Sequence, residues 1–289
     1  MNISQRRDDL ILSGQDSFIL SHIFDCGQCF RWNPNSDGSY TGVAKGKALR
    51  ISQTENEIVF HNTSIEDFHN VWEDYFDLKT DYSQIKNRLS SDSVLKNAIG
   101  YGEGIRILRQ DLWECTVSFI ISASNNIPRI KKIIDLFCSN FGEKIYYMGK
   151  EFHTFPTPEK TASLTLDDLG IIKSGFRDKY ILDAAKKFVS GEISYEKLSE
   201  MSSENAKKAL TAIRGVGNKV SDCIMLFGLS RCESFPVDVW IKRIMEYCYF
   251  NNKQSIDNIS VFSKEKFASL GGYAQQYLFF YARENKIGL

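Results

Sequence analysis

Residues 210–223 of the 289-residue chain read Leu-Thr-Ala-Ile-Arg-Gly-Val-Gly-Asn-Lys-Val-Ser-Asp-Cys. Apolar residues keep helical spacing over Ala206 to Ile213 and again over Val220 to Leu229, and Gly215 and Gly217 interrupt them at alternate positions. The stretch reads as a helix, a tight turn and a second helix, a hairpin over residues 204–230 or so. A Gly-x-Gly turn that opens a helix lets a partner come close and points unpaired amides outward, which makes a site sized for a phosphate. By itself the turn is equally a plain interhelical connection with glycine at the helix C-cap.

Around the hairpin the pattern changes once along the chain. Tyr40 to Val43, Ala48 to Ile51 and Ile58 to His61 alternate like strands, with polar breaks at Lys45-Gly46-Lys47 and Thr54-Glu55-Asn56, and predict a small antiparallel meander. Beyond residue 65, helical spacing marks Ile105 to Ser122, Ile127 to Phe141, Lys179 to Val189, Val239 to Tyr249 and Tyr273 to Ala282, and Thr165-x-x-Asp168 fits a capping box. The expected organisation is α+β: a small N-terminal antiparallel sheet domain over 1–100 and a larger all-helical body over 101–289, with the boundary between 95 and 105.

Composition narrows the class. Hydrophobic residues make up 43% and charged residues 25%, and glycine and proline together number 24 (19 and 5), which excludes a disordered or fibrous chain. No apolar run approaches the roughly 20 residues of a membrane span, and Asp8, Asp9, Asp16 and Asp25 argue against a leader, so a cytoplasmic protein is expected. The formal charge is zero, yet residues 1–95 carry 9 Lys/Arg against 14 Asp/Glu, leaving 27 against 22 for the rest. A polyanion would meet the second segment, where helix-start amides can grip a DNA backbone without net charge. The seven cysteines show no disulfide framework. Cys26-x-x-Cys29 lacks a second pair at zinc-site spacing, so two small half-buried thiols are preferred to a metal site.

Phe235-Pro236-Val237-Asp238-Val239-Trp240 sets a proline and an aspartate just before a new amphipathic helix, and Asp238 falls nineteen residues after Lys219. This pairing with Gly215-Val216-Gly217-Asn218-Lys219 resembles the helix-hairpin-helix, Gly/Pro-rich, aspartate superfamily of DNA glycosylases. Gly27-Gln28-Cys29-Phe30-Arg31-Trp32, Ser124-Asn125-Asn126-Ile127-Pro128-Arg129, Gly175-Phe176-Arg177 and Ala274-Gln275-Gln276-Tyr277-Leu278-Phe279 are similar, in order, to blocks of its 8-oxoguanine DNA glycosylase/lyase family. The resemblance spans nearly the whole chain. It implies a TATA-binding-protein-like N-terminal sheet, a monomer without cofactor or metal, double-stranded DNA containing oxidised guanine as the partner, and association with the nucleoid in a prokaryote.

The chemistry can be weighed independently. Cleaving an N-glycosidic bond needs a nucleophile for the sugar C1′ and stabilisation of an oxocarbenium-like transition state. A lysine attacks only as a neutral amine, and a solvated one with pKa near 10.4 is neutral in only about one molecule in 2,500 at pH 7. The helix N-terminus at Lys219 and desolvation by substrate both favour the neutral form. Direct contact with Asp238 would oppose it, so Asp238 is expected to face the developing positive sugar and to cap its own helix.

The resemblance further assigns Cys223 and Phe279 to the two faces of the flipped base, with Pro236 beside them, and Gln275 to its pairing edge. It gives the Gly27 carbonyl the N7–H that oxidation at C8 creates, a donor that ordinary guanine lacks. Ser124, Asn125, Arg129, Phe176, Arg177, Gly215, Gly217 and Trp240 fall at DNA-contacting positions. Members strict for cytosine opposite the lesion carry Tyr at the position of Phe176 and Asn at that of Ser124, so weakened opposite-base discrimination is expected. Trp240 also replaces a His common in eukaryotic members, which leaves a phosphate contact there in question. Two other readings stay open: a glycosylase for other oxidised or alkylated bases, although only Cys248 follows Asp238 and no iron-sulfur set is present, and a non-catalytic helix-hairpin-helix DNA-binding module.

Overall fold

The computed structural model describes residues 2–288. Six strands, β1 (Asn2–Arg6), β2 (Asp9–Ser13), β3 (Trp32–Pro34), β4 (Tyr40–Ala44), β5 (Lys47–Gln53) and β6 (Glu57–Phe60), form one antiparallel sheet in the order β1-β2-β6-β5-β4-β3. The three expected strands are β4, β5 and β6. β1 is a polar edge strand (Asn-Ile-Ser-Gln-Arg) with little alternation to read, and β3 is three residues long. The sheet buries Leu10, Leu12, Leu49, Ile51 and Phe60 against Phe68, Trp72 and Phe76, with Trp32 stacked on Phe24 at 4.2 Å. Trp32 pairs in register with Gly42, where a Cβ would fall 2.5 Å from the indole; glycine is what lets the ring lie across the sheet.

The helices of the second segment share a separate core. Its central member, Leu112–Ser122, is buried at nine positions, and it packs on Asn218–Gly228 so closely that a Cβ at Gly228 would lie 3.1 Å from Leu112; Phe119 and Phe227 stack at 5.4 Å. Four expected helices appear with ends shifted by a few residues, as Asp178–Val189, Ser203–Thr211, Asn218–Gly228 and Gly271–Glu284, and Ile127–Phe141 appears as expected. The capping box at Thr165 and Asp168 is formed in both directions. Val239–Met245 is helical and ends in a π-turn over Glu246–Phe250.

Two expectations are corrected. Ile105 to Gln110 forms no helix, because its polar groups are taken by other segments. Gln28 receives the Leu108 amide at 2.9 Å, the Tyr82 hydroxyl accepts the Ile107 amide at 2.8 Å, and the fully buried Arg106 donates to the carbonyls of Ser17 and Asp77. The helix starts only at Asp111, whose carboxylate caps the Glu114 amide. The body is not all helical: β7 (Lys144–Tyr147) and β8 (Lys150–His153) form a hairpin, and the Tyr147 hydroxyl bonds the Arg50 amide and the His61 carbonyl of the sheet domain. Tyr82, Ile85, Leu89, Leu95, Ala98 and Ile99 bury their apolar faces in the helical core. No helix among the described residues is long and apolar enough to cross a membrane.

An ion pair at 3.3 Å joins Arg31, just before β3, to Glu114 on the central helix, and Arg31 also donates to the His153 carbonyl of β8. Burial pushes the Glu114 carboxyl up from 4.5 to about 7, against the pull of Arg31. A folded-state pKa above the unfolded value means stability present at low pH and lost as pH rises towards 7. Relative to Glu114→Gln, the wild-type protein should lose about 3 kcal/mol of stability between pH 4.5 and 7. Urea denaturation of both proteins across that window checks this, and parallel stability curves would contradict it.

Candidate active site

The hairpin turn is fixed by its glycines. Gly215 has φ +83°, and a Cβ there would sit 2.3 Å from the Tyr180 ring. Val216 turns into the core, and exposed Gly217 is the N-cap of Asn218–Gly228 without offering a side-chain cap. The first-turn amides of that helix therefore face solvent, as an anion site requires. Behind the turn, Lys207 and Asp222 pair at 2.7 Å and bind the two helices together.

Lys219, second in the helix, is half-buried, with its Nζ 5.2 Å from the centroid of the Phe119 ring. Cys223 lies one turn on; burial pushes its thiol up to about 11, opposed by the Lys219 charge. Asp238 arrives from the other side at the start of Val239–Met245, where its Oδ1 accepts the Ile241 amide at 2.8 Å and caps the helix as expected. Burial raises its carboxyl pKa, while the Ile241 amide and the charges of Lys219 and Arg283 pull it down.

Lys219, Cys223, Pro236, Asp238, Trp240, Gln275, Phe279, Gly27, Ser124 and Asn125 all line one cavity of about 690 Å³ between the two segments. Gln275 is 5% exposed and its Oε1 has no hydrogen-bond partner, an acceptor held ready at the cavity wall. Gly27 has φ +81°, and a Cβ there would fall 2.9 Å from the Phe279 ring, so backbone rather than side chain borders the cavity.

Arg129, Phe176, Arg177, Gly215 and Gly217 lie outside that cavity. Arg177 is buried, donating to the carbonyls of Ala123, Ser124 and Ser174, so in this structure it braces the loop that carries Ser124. Phe176 is 55% exposed beneath the Arg177 guanidinium. Asn125 spends its amide on the Ile121 carbonyl, closing one helix as Asn126 caps the next.

The sequence reading missed four residues. Phe119 walls the cavity beside Lys219. Gln28, Gln276 and Arg283 hold the Asp25–Gln28 loop: Gln28 Nε2 donates to the carbonyls of Ile23 and Arg106, Gln276 donates to that of Cys26 at 2.8 Å, and Arg283 donates to that of Asp25. Arg283 follows Phe279 by four residues, one helical turn, and that spacing could have flagged it.

A hairpin presenting helix-start amides beside a buried lysine–aspartate pocket is the architecture of a base-excision DNA repair protein, and sequence comparison agrees. The profile of the HhH-GPD superfamily of base excision DNA repair proteins matches residues 117–268, and that of the 8-oxoguanine DNA glycosylase N-terminal domain matches residues 10–116. The chain belongs to this family. It is 47% identical to MBOgg1, solved with a low affinity DNA ligand, with 99% of each chain covered and a TM-score of 0.96. It is 43% identical to the Clostridium acetobutylicum 8-oxoguanine glycosylase/lyase, solved on double-stranded DNA with cytosine opposite 8-oxoguanine, again with 99% of each chain covered and a TM-score of 0.96. The N-glycosylase/DNA lyase of Saccharomyces cerevisiae is 29% identical over 92% of this chain and 83% of its own length.

The raised pKa of Asp238 means that its ionisation works against folding. Asn caps a helix as well as Asp and carries no charge. Asp238→Asn should therefore be more stable than wild type at pH 7.5, whereas Asp238→Ala should lose about 1 kcal/mol with the cap. Denaturation of the three proteins decides; an Asn variant less stable than wild type would contradict the assignment of burial as the dominant effect.

Proposed function

We propose that the protein is a bifunctional DNA glycosylase that flips 8-oxoguanine out of duplex DNA, excises it with Lys219 as nucleophile and cleaves the resulting abasic site by β-elimination. One observation carries this reading: Lys219 and Asp238 line the same cavity, whose remaining walls offer a base two faces, Cys223 and Phe279, and a polar edge at Gln275. Membership of the family and likeness to solved 8-oxoguanine glycosylases support it.

Extrusion of the base costs a few kcal/mol, which the amides at Gly217 offset through the DNA backbone and Phe279 through stacking. The neutral Lys219 amine attacks C1′ as the bond to N9 breaks. Asp238, held by its own helix, stabilises the positive charge that develops on the sugar. The amine stays attached, the sugar opens to a Schiff base, and loss of a C2′ proton expels the 3′ phosphate. The Gly27 carbonyl accepts the N7–H of the oxidised base; in ordinary guanine a lone pair would face it. Such an enzyme works where the DNA is, which in a prokaryotic host is the nucleoid.

On a duplex carrying 8-oxoguanine opposite cytosine, borohydride should trap a covalent complex with wild type and none with Lys219→Gln. Undiminished binding without trapping would leave a hairpin that only grips DNA. The exposed Phe176 and Ser124 lack the hydroxyl and amide of strict members, so wild-type excision opposite adenine should fall less than a hundredfold below that opposite cytosine, and the double variant Phe176→Tyr, Ser124→Asn should widen the gap. Single-turnover rates opposite both bases measure it; a hundredfold or larger gap in the wild type sinks the idea.

A further inference from the structure

Arg283 sits on the last turn of Gly271–Glu284 and reaches back over the cavity wall. Its Nε donates to Glu284 at 2.8 Å and its Nη2 to the Asp25 carbonyl. The guanidinium lies 5.4 Å from the centroid of Phe279 and 5.8 Å from that of Phe280. Nη1 is buried and has no hydrogen-bond partner among the described residues. It lies 3.3 Å from the point where a Cβ on Gly27 would stand. An arginine always carries its charge and its five donors, so a buried, unpaired Nη1 beside a ligand cavity is a donor without an acceptor in the protein.

We propose that Arg283 donates, through Nη1, to one of the two carbonyl oxygens that flank N7–H on the flipped 8-oxoguanine. The inference rests on the reading that this cavity takes that base. Along one edge 8-oxoguanine presents O6, N7–H and O8 in a row, acceptor, donor, acceptor. Gly27 offers a carbonyl to the middle position, and Nη1 beside Gly27 faces a neighbouring one. The same guanidinium fixes the Asp25 carbonyl and stacks on Phe279, so it holds the loop that carries Gly27 and the ring that covers the base. Its charge also reaches Asp238, which ties it electrostatically to the reacting centre.

The contact strengthens during reaction. As the C1′–N9 bond breaks, its electron pair stays on the purine and spreads onto O6 and O8. The Lys219 lone pair forms the new bond to C1′, and the nitrogen then sheds a proton that the purine anion takes up, so the base leaves neutral. A cationic donor on a purine carbonyl favours that departure more than it favours binding.

The test is single-turnover excision of 8-oxoguanine opposite cytosine by wild type, Arg283→Met and Arg283→Lys, beside borohydride trapping of each on a preformed abasic site, where no base is present. Removing a hydrogen bond to a charged donor should slow excision by Arg283→Met about 10- to 100-fold, with Arg283→Lys intermediate and abasic-site trapping reduced by a much smaller factor in both. Unaltered excision, or an equal loss on the abasic site, overturns the proposal. If Arg283→Met does not fold, as judged by its thermal transition, Arg283→Lys carries the same comparison. To separate the two oxygens, binding is measured in the Lys219→Gln background on duplexes with 8-oxoguanine or 8-oxoadenine, which lacks O6. An affinity loss on Arg283→Met with both bases assigns O8, a loss with 8-oxoguanine alone assigns O6, and no loss with either overturns the contact. A wild-type protein that fails to excise 8-oxoguanine would refute the functional reading instead, and it is scored before any variant.

Discussion

The Asp25 to Gln28 loop, between the short helix Leu20–Phe24 and β3, is where the sheet domain meets the last helix of the body, and one wall of the cavity depends on satisfying that loop's backbone. Buried carbonyls without partners are costly. Here those of Ile23, Asp25, Cys26 and Gln28 go to side chains of Gln28, Arg283, Gln276 and Gln110. Two of these donors lie on the helix that supplies Gln275 and Phe279. The seam between the cores and one wall of the cavity are thus one network, and Gly27 reaches the cavity as bare backbone because the residues either side of it are pinned.

Low dielectric then sets the chemistry. The site gathers Lys219 and Asp238 from two different helix starts, where the positive dipole end opposes charge on the amine and favours the carboxylate that caps its own helix. Burial raises Asp238, so the fold carries an anion it would be more stable without. That cost is what a reaction generating positive charge on a sugar can recover. The same burial silences the cysteines: Cys26 is pushed up to about 11 and Cys29 well above its ordinary value, and Cys26 spends its S–H on the Ile23 carbonyl. The C-x-x-C is core packing under the loop, its two thiols buried where half-buried ones were expected.

The sequence was most legible where local chemistry and global fold agree. Gly215, Gly217 and the Asp238 cap could be read because a turn and a helix start each demand particular residues. The strands β4 to β6 alternate, and the long helices keep their period. What escaped notice was decided by distant partners. Ile105 to Gln110 has helical periodicity but forms no helix because Tyr82 and Gln28 accept its amides, while its own Arg106 side chain donates to the Asp77 carbonyl. Tyr82 to Ile99 packs with the helical core. Arg177 reads as a DNA contact and is found buried against loop carbonyls, for no local pattern tells an arginine that faces a phosphate from one that braces a loop.

That last point reaches beyond one residue. The excess of basic residues after residue 95 suggested a positive face for a polyanion, but several of its arginines are internal struts. Arg106 holds three backbone carbonyls, Arg177 holds the Ser124 loop, and Arg231 donates to the carbonyls of Leu198 and Met201 and to the Ser203 hydroxyl. Guanidinium donors spent this way on backbone carbonyls are not free to reach a phosphate. The exposed Gly217 at the start of Asn218–Gly228 offers a phosphate oriented helix-start amides that need no net charge, so the zero balance of the chain is no obstacle to a polyanion partner.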